Sequence, residues 1–260
     1  VHTKTIADNG DGTYTLSLNV TGDSETSSTS TPADVVLVVD TSGSMAGNRI
    51  DTVKRAARGL VNTMLTAENE KLDASQQIRV SVVSFSSKVN STSDFTASVR
   101  TAQGTINGLN AWDNGHQSSG GTNWEDALNT ANDVLASGRA DANKYIVFLS
   151  DGAPTFRVSS VQTGSHGALK WVDGWFKWVD VPDYDKDDSN LTPSGCHGSG
   201  TGDRFNANYN CAVAAANKRG NATLFAVSAG SEANQKMNTF ATDTKGSFLD
   251  GTNEQSLNAA

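Results

Sequence analysis

Apolar positions fall along this chain in two alternating rhythms. Residues 34–40, Asp-Val-Val-Leu-Val-Val-Asp, hold an unbroken valine-rich run, the mark of a strand covered on both faces. Ile50, Val53, Ala57, Leu60, Val61, Met64 and Leu65 then recur at the spacing of a helix with one buried face. Residues 78–85 read as a strand, and Trp124, Ala127, Leu128, Ala131, Val134 and Leu135 mark a second helix. Residues 145–149 are another fully buried strand, running into Ser150-Asp151-Gly152. A short helix at 212–218, a strand at 222–227, a weaker helix near 235–241 and a last strand at 246–249 complete the series. Strands alternating with helices predict an α/β domain with a doubly wound, mostly parallel sheet flanked by helices.

Two stretches break the rhythm. At the N-terminus, Tyr14, Leu16, Leu18 and Val20 alternate with polar residues behind the turn signal Asn9-Gly10-Asp11-Gly12. Residues 1–32 are therefore expected to be a small β segment and a polar linker, with the main domain at 33–260. Residues 153–210 lack clear periodicity and are too long for an ordinary connection, so they read as an insertion at the mouth of the sheet. Within it Trp171, Trp175 and Trp178 share helical spacing. They form either a satellite core under the insertion or an exposed aromatic platform.

Composition narrows the classes. The chain has 260 residues and a net charge of −8, with no dense basic run to neutralise phosphates, which argues against a nucleic-acid partner. No apolar run of about 18 residues is present to span a membrane. The sequence opens on Val1 without a signal peptide, and residues 256–260 resemble the start of a helix. It reads as a mature fragment from which any export signal or wall anchor has been removed. Cys196 and Cys211 are the two cysteines. In an exported protein they are expected to form a disulfide, whose loop of about 15 residues is worth roughly 3 kcal/mol.

The candidate chemistry lies at strand ends. In open α/β sheets, ligands collect at the carboxyl ends of the strands. Asp40 and Asp151 each end a buried strand, and Gly120-Gly121-Thr122 opens the helix near Trp124. In Asp40-Thr41-Ser42-Gly43-Ser44 three oxygens alternate around a turn and can face one point. Mg²⁺ takes six oxygens in near-octahedral geometry and usually keeps waters. Ser42, Ser44 and Thr122 are the expected neutral ligands, with Asp40 and Asp151 supplying charge directly or through water. A shell dominated by hydroxyls leaves the ion electron-poor, so its open position favours a partner's carboxylate.

Other chemistries fit less well. A phosphatase nucleophile at Asp40 needs a second carboxylate at position 42, which is Ser. A serine hydrolase needs a base, and His116, His166 and His197 lie in polar loops with no nucleophile elbow around either serine. No acid–base pair is visible, so the chain is expected not to be an enzyme. Helix capping by the serines accounts for one motif but not for three. Asp183, Asp185, Asp187 and Asp188 resemble part of a calcium loop, but Asp188 and Ser194 stand where Gly and Glu are needed, so a second cation such as Ca²⁺ is not expected.

Asp40-x-Ser42-x-Ser44, then Thr122, then Asp151, in that order, resembles the metal-ion-dependent adhesion site of a von Willebrand factor type A domain. The resemblance covers residues 33–258 and implies a Rossmann-like fold holding Mg²⁺, with Mn²⁺ as the substitute. The Gly-Thr-Tyr strand, the polar linker and the long insertion resemble Gram-positive cell-wall and pilus-tip adhesins. That likeness implies an extracellular, cell-surface protein with a host matrix or cell-surface protein as ligand and pilus or cell-wall proteins as neighbours. The alternative is an assembly module in which the metal is structural. Gly43, Met45 and Gly121, beside the metal ligands, and Trp171, Trp175 and Trp178 are the candidate partner contacts.

Overall fold

In the computed structural model the period-two pattern near the N-terminus is a hairpin, β1 (His2–Asp8) paired antiparallel with β2 (Tyr14–Val20), with Ile6 opposite Leu16. The structure describes residues 2–8, 14–20, 31–111, 120–184, 196–200, 202–203 and 206–251. The Asn9–Gly12 turn signal, His116, Asp185, Asp187, Asp188 and the helix-like end at 256–260 lie outside them. The chain divides into two units, Val1–Ser30 and Thr31–Ala260.

The second unit is built on β3 (Ala33–Asp40), buried along its whole length. After it come α1 (Asn48–Met64), the short α2 (Ala67–Lys71), β4 (Ile78–Phe85), β5 (Val89–Thr92), α3 (Val99–Asn107), α4 (Trp124–Ala136) and β6 (Asn143–Ser150). A hairpin of β7 (Gln162–Val172) and β8 (Trp175–Tyr184) stands apart as its own two-stranded sheet. α5 (Ala207–Ala216), β9 (Thr223–Ser228), α6 (Asn234–Asp243) and β10 (Ser247–Asp250) follow. The strand order is β10-β9-β6-β3-β4-β5, parallel throughout except for the edge strand β5. This is the doubly wound sheet that the alternating rhythm predicts.

Alternate side chains of the central strands serve opposite layers. Val36, Val38, Phe85, Ile146 and Phe148 pack under α4, α5 and α6 through Trp124, Leu128, Ala212 and Phe240. Val35, Leu37, Val39, Val82 and Leu149 pack under α1 and α3 through Val53, Ala57, Val61 and Ile106. Each such side chain contributes about 1.5–3 kcal/mol by leaving water. β5 and α3 have weak sequence signals. Val-Asn-Ser-Thr is a polar edge, and α3 buries only Ala102 and Ile106.

At the amino end of the sheet, Asp34 is fully buried and accepts from Arg79 Nε and Nη2 at 2.9 and 2.8 Å, and from Arg139 N and Nη2 at 2.8 and 2.7 Å. Burial alone raises its pKa, and the hydrogen bonds from both arginines more than reverse this, holding the carboxyl below its ordinary range. A lowered folded pKa gives stability that is present above the unfolded value and lost as pH falls through the folded one. Asp34→Ala is expected to cost about 3–5 kcal/mol at neutral pH, because two guanidinium groups lose their buried partner. Acid titration of melting temperature checks this: the variant should lose less stability below about pH 4 than wild type.

One expectation needs correction, and one open alternative is decided. Cys196 and Cys211 are both thiols and do not form a disulfide. Cys196 is buried beneath the carboxyl-edge loops, where its Sγ lies 3.0 Å from the Ser87 carbonyl, and burial raises its pKa. Cys211 sits part-buried within α5. The three tryptophans of the insertion are not a satellite core on a helix. They stand on β7 and β8 with Trp171, Trp175 and Trp178 exposed at 65, 75 and 75%. Asp173 and Gly174, both at positive φ, turn the chain between the strands, as a two-residue hairpin loop requires.

Candidate functional site

β3 lies between β4 and β6, and the chain crosses from one side of it to the other between those strands. That switch point opens a crevice at the carboxyl edge. Val39 is in register with Leu149, so Asp40 and Ser150 end their strands at the same height and Asp151 follows directly. A single 3-10 turn, Gly43–Met45, carries the chain from Asp40 towards α1.

Four of the five predicted ligands are linked by hydrogen bonds. The Ser42 backbone N–H donates to Asp40 Oδ1 at 2.8 Å, and the Ser150 hydroxyl donates to Oδ2 at 2.6 Å. Ser44 Oγ donates to Asp151 Oδ1 at 2.8 Å across 107 residues of sequence. The hydroxyls of Ser42 and Ser44 are 3.1 Å apart. Ser44 gives its one proton to Asp151, so Ser42 is the donor of that pair.

Thr122 is held at the same edge by its backbone. Its N–H donates to Thr155 Oγ1 at 2.9 Å, and its carbonyl accepts from Thr155 N and Phe156 N at 2.8 and 3.0 Å. The preceding Gly120 carbonyl accepts from Gly43 N at 3.2 Å, tying this loop to the Asp40–Ser44 turn. Asn123 caps α4 by accepting from Asp126 N and donates to the Ser87 carbonyl. Glu125, buried in the first turn of α4, accepts from Val158 N and Ser159 N and so anchors the start of the insertion.

Burial is graded across the cluster. Asp40 and Ser42 are fully buried, Asp151 and Thr122 nearly so, and Ser44 is exposed at the mouth. Burial, and then repulsion from the Asp151 carboxylate, pushes the Asp40 pKa up to about 7. Two confined carboxylates call for positive countercharge, of which Arg49 supplies one by donating to Asp151 Oδ2 at 2.9 Å, while no described cation pairs with Asp40. The acceptors that meet here are all carboxylate and hydroxyl oxygens, and among the described residues no group of three His, Cys, Asp or Glu residues that could hold a metal ion is found. Such a set, two carboxylates among hydroxyls, suits a hard oxygen-seeking cation better than zinc, which prefers nitrogen and sulfur. The apolar cavity of about 440 Å³ beside α1, lined by Leu60, Met64, Tyr145, Phe225 and Leu249 among others, contains no carboxylate and lacks this chemistry.

The predicted partner contacts separate. Gly43 is part-buried in the turn, but Met45 is fully buried in the α1-side core and faces no partner. Gly121 is also buried. A Cβ there would stand 2.2 Å from the Phe156 ring, so its glycine serves packing rather than partner contact. Trp171, Trp175 and Trp178 are accessible on the hairpin. Ser150 and Trp124 join the site unannounced by the sequence pattern. Trp124 Nε1 donates to Ser150 Oγ at 3.2 Å, so a buried indole orients the hydroxyl that holds Asp40. Arg49 is a further addition, donating to Asp151 Oδ2 at 2.9 Å.

Comparison with known proteins bears on the fold that carries these residues. The family model described as von Willebrand factor type A domain matches residues 35–153. The minor fimbrium subunit Mfa5 of Porphyromonas gingivalis is 31% identical over 144 residues, covering 53% of this chain. This chain spans only 11% of that relative's length. Among solved structures, the vWF domain of the type V pili tip protein Mfa5 from the same organism has a TM-score of 0.60 at 20% identity, over 88% of this chain and 94% of that one. The PilB minor pilin from Streptococcus sanguinis has a TM-score of 0.61 at 18% identity, over 95% and 67%. The pilus adhesin SpaC from Lactobacillus rhamnosus GG has 0.55 at 19%, over 99% and 32%. At these identities the structural likeness speaks to the fold alone.

Proposed function

We propose that the chain, whose residues 35–153 match the family model described as von Willebrand factor type A domain, is a metal-dependent adhesion domain of a bacterial surface or pilus protein. It binds an acidic side chain of a host protein through Mg²⁺, or Mn²⁺ in its place, without turnover. The supporting observation is the contact between Ser44 and Asp151, which draws two motifs 107 residues apart into one oxygen cluster. Ser42, Ser44 and Thr122 would hold the ion, with Asp40 and Asp151 supplying charge. A bound divalent cation supplies an open coordination position for a carboxylate oxygen. Around it, Ser150 fixes Asp40, the Gly43–Gly120 hydrogen bond fixes the loops, and Ser44 keeps the mouth open to solvent. The exposed aromatic face of the hairpin offers a further surface for a protein partner.

Relatives named as fimbrial and pilus subunits support an adhesion or assembly module and a location outside the cell. Among the described residues no helix is long and apolar enough to cross a membrane. The assembly reading differs in outcome: the metal would be structural, and its loss would break subunit joining instead of host attachment. A binding screen against immobilised matrix proteins, in Mg²⁺ and in chelator, separates the two. Adhesion predicts binding that disappears in chelator while circular dichroism keeps the α/β signature; binding that persists without metal sinks it.

A further inference from the structure

Arg49 and Glu232 belong to none of the predicted motifs, yet they meet at the mouth of the cluster. Arg49 lies in the first turn of α1 and Glu232 in the 3-10 turn Ser231–Ala233 that follows β9. Arg49 Nη1 donates to Asp151 Oδ2 at 2.9 Å and to the Ser44 carbonyl at 3.0 Å, and Nη2 donates to the Glu232 carboxylate. One guanidinium thus joins a buried carboxylate to an exposed one: the Asp151 side chain is 1% exposed, that of Glu232 51%. Glu232 folds back over Gly230, where a Cβ would stand 3.0 Å from its carboxylate.

An ion pair this exposed contributes little to stability, so it exchanges readily. The guanidinium fork also matches a planar carboxylate better than an ammonium does. A divalent cation entering beside Asp151 brings positive charge close to Arg49. The arginine then needs an anion on its outer side, and only Glu232 or a partner's carboxylate can supply one there, among the described residues. Arg49 binds the Ser44 carbonyl as well as Asp151, so a carboxylate entering past Ser44 would meet the same guanidinium.

We propose that Arg49 is a second anchor for the partner's carboxylate, and that Glu232 is an internal carboxylate occupying this anchor until the partner displaces it. Glu232 is therefore an autoinhibitory contact, and Arg49 selects for acidic ligands. The inference rests on the cation reading above.

The probes are Mn²⁺, followed by the water-proton relaxation it enhances, and acetate, which displaces water from bound Mn²⁺ and lowers that enhancement. Arg49→Gln should bind Mn²⁺ several-fold tighter, having lost a competing positive charge, yet take acetate about tenfold more weakly. Arg49→Lys should recover acetate binding only in part, because it restores charge without the fork. Glu232→Gln should take acetate about tenfold more tightly. Unchanged acetate affinity in both Arg49→Gln and Glu232→Gln, with Mn²⁺ uptake lost in Asp40→Asn, overturns the latch and leaves the cation reading standing. Mn²⁺ uptake as strong in Asp40→Asn as in wild type overturns the cation reading, and the latch falls with it.

Discussion

Replacing Asp40 with asparagine is expected to abolish Mg²⁺ binding while leaving the metal-free domain at least as stable as wild type. Both halves follow from the same geometry. Asp40 is fully buried beside Asp151, and burial first, then that neighbour's charge, raises its pKa to about 7. Asparagine keeps the shape, removes the like-charge repulsion and retains an acceptor for Ser42 N or the Ser150 hydroxyl. The Ser150 hydroxyl can turn to accept instead of donate. The cation, however, loses one of two formal negative charges. Loss of a merely supporting partner in metal sites costs about 10–100-fold in affinity, so loss of a charged member should cost at least about a hundredfold. Calorimetry should show no Mg²⁺ heat for the variant. At 100 times the dissociation constant Mg²⁺ should stabilise wild type by about 2.7 kcal/mol, and the variant should show no shift in melting temperature. A variant that still melts higher in Mg²⁺ would remove Asp40 from the site.

The second large effect is expected at the hairpin, where Trp171→Ala with Trp178→Ala should leave the fold untouched and weaken partner binding by about 2–4 kcal/mol. In the β7–β8 register Trp171 is opposite Phe176 and Leu169 is opposite Trp178. Alternation therefore sets all four on one face of the ribbon. Trp171 and Phe176 meet edge to face at 4.8 Å, and all four side chains are more than half exposed. A contiguous wet aromatic face of this kind marks an interaction site more often than a stabilising one. Thermal melting should move by no more than about 0.5 kcal/mol in the double variant. Trp124→Ala, by contrast, removes a fully buried indole packed against Phe148 and Phe240 and should cost about 3–5 kcal/mol. A double hairpin variant as unstable as Trp124→Ala would mean that these rings pack within the domain.

The hairpin also shows why the sequence left the tryptophans between two readings. Trp171, Trp175 and Trp178 are spaced by four and three, which suits a helix, but the spacing spans a turn. Asp173-Gly174 is a strong two-residue hairpin signal, and both residues take the positive φ it demands. That dipeptide, and not the spacing of the tryptophans, decides the element. The cysteines offered no comparable signal. Their number is compatible with a bridge, and only the burial of Cys196 beneath Ser87 and Asn123 sets it in the floor of the site instead.

The sequence alone determined the layered α/β sheet and the turn that carries Asp40, Ser42 and Ser44. Both are local properties: strand and helix periods repeat within a few residues, and Asp40, Ser42 and Ser44 share one turn. What tertiary structure decided are the contacts that span the chain, namely Trp124 through Ser150 to Asp40, Ser44 to Asp151, and Arg49 between Asp151 and Glu232. These partners are 26 to 183 residues apart. No spacing rule links them, because they meet only where the strand order β9-β6-β3 brings three carboxyl ends to one edge.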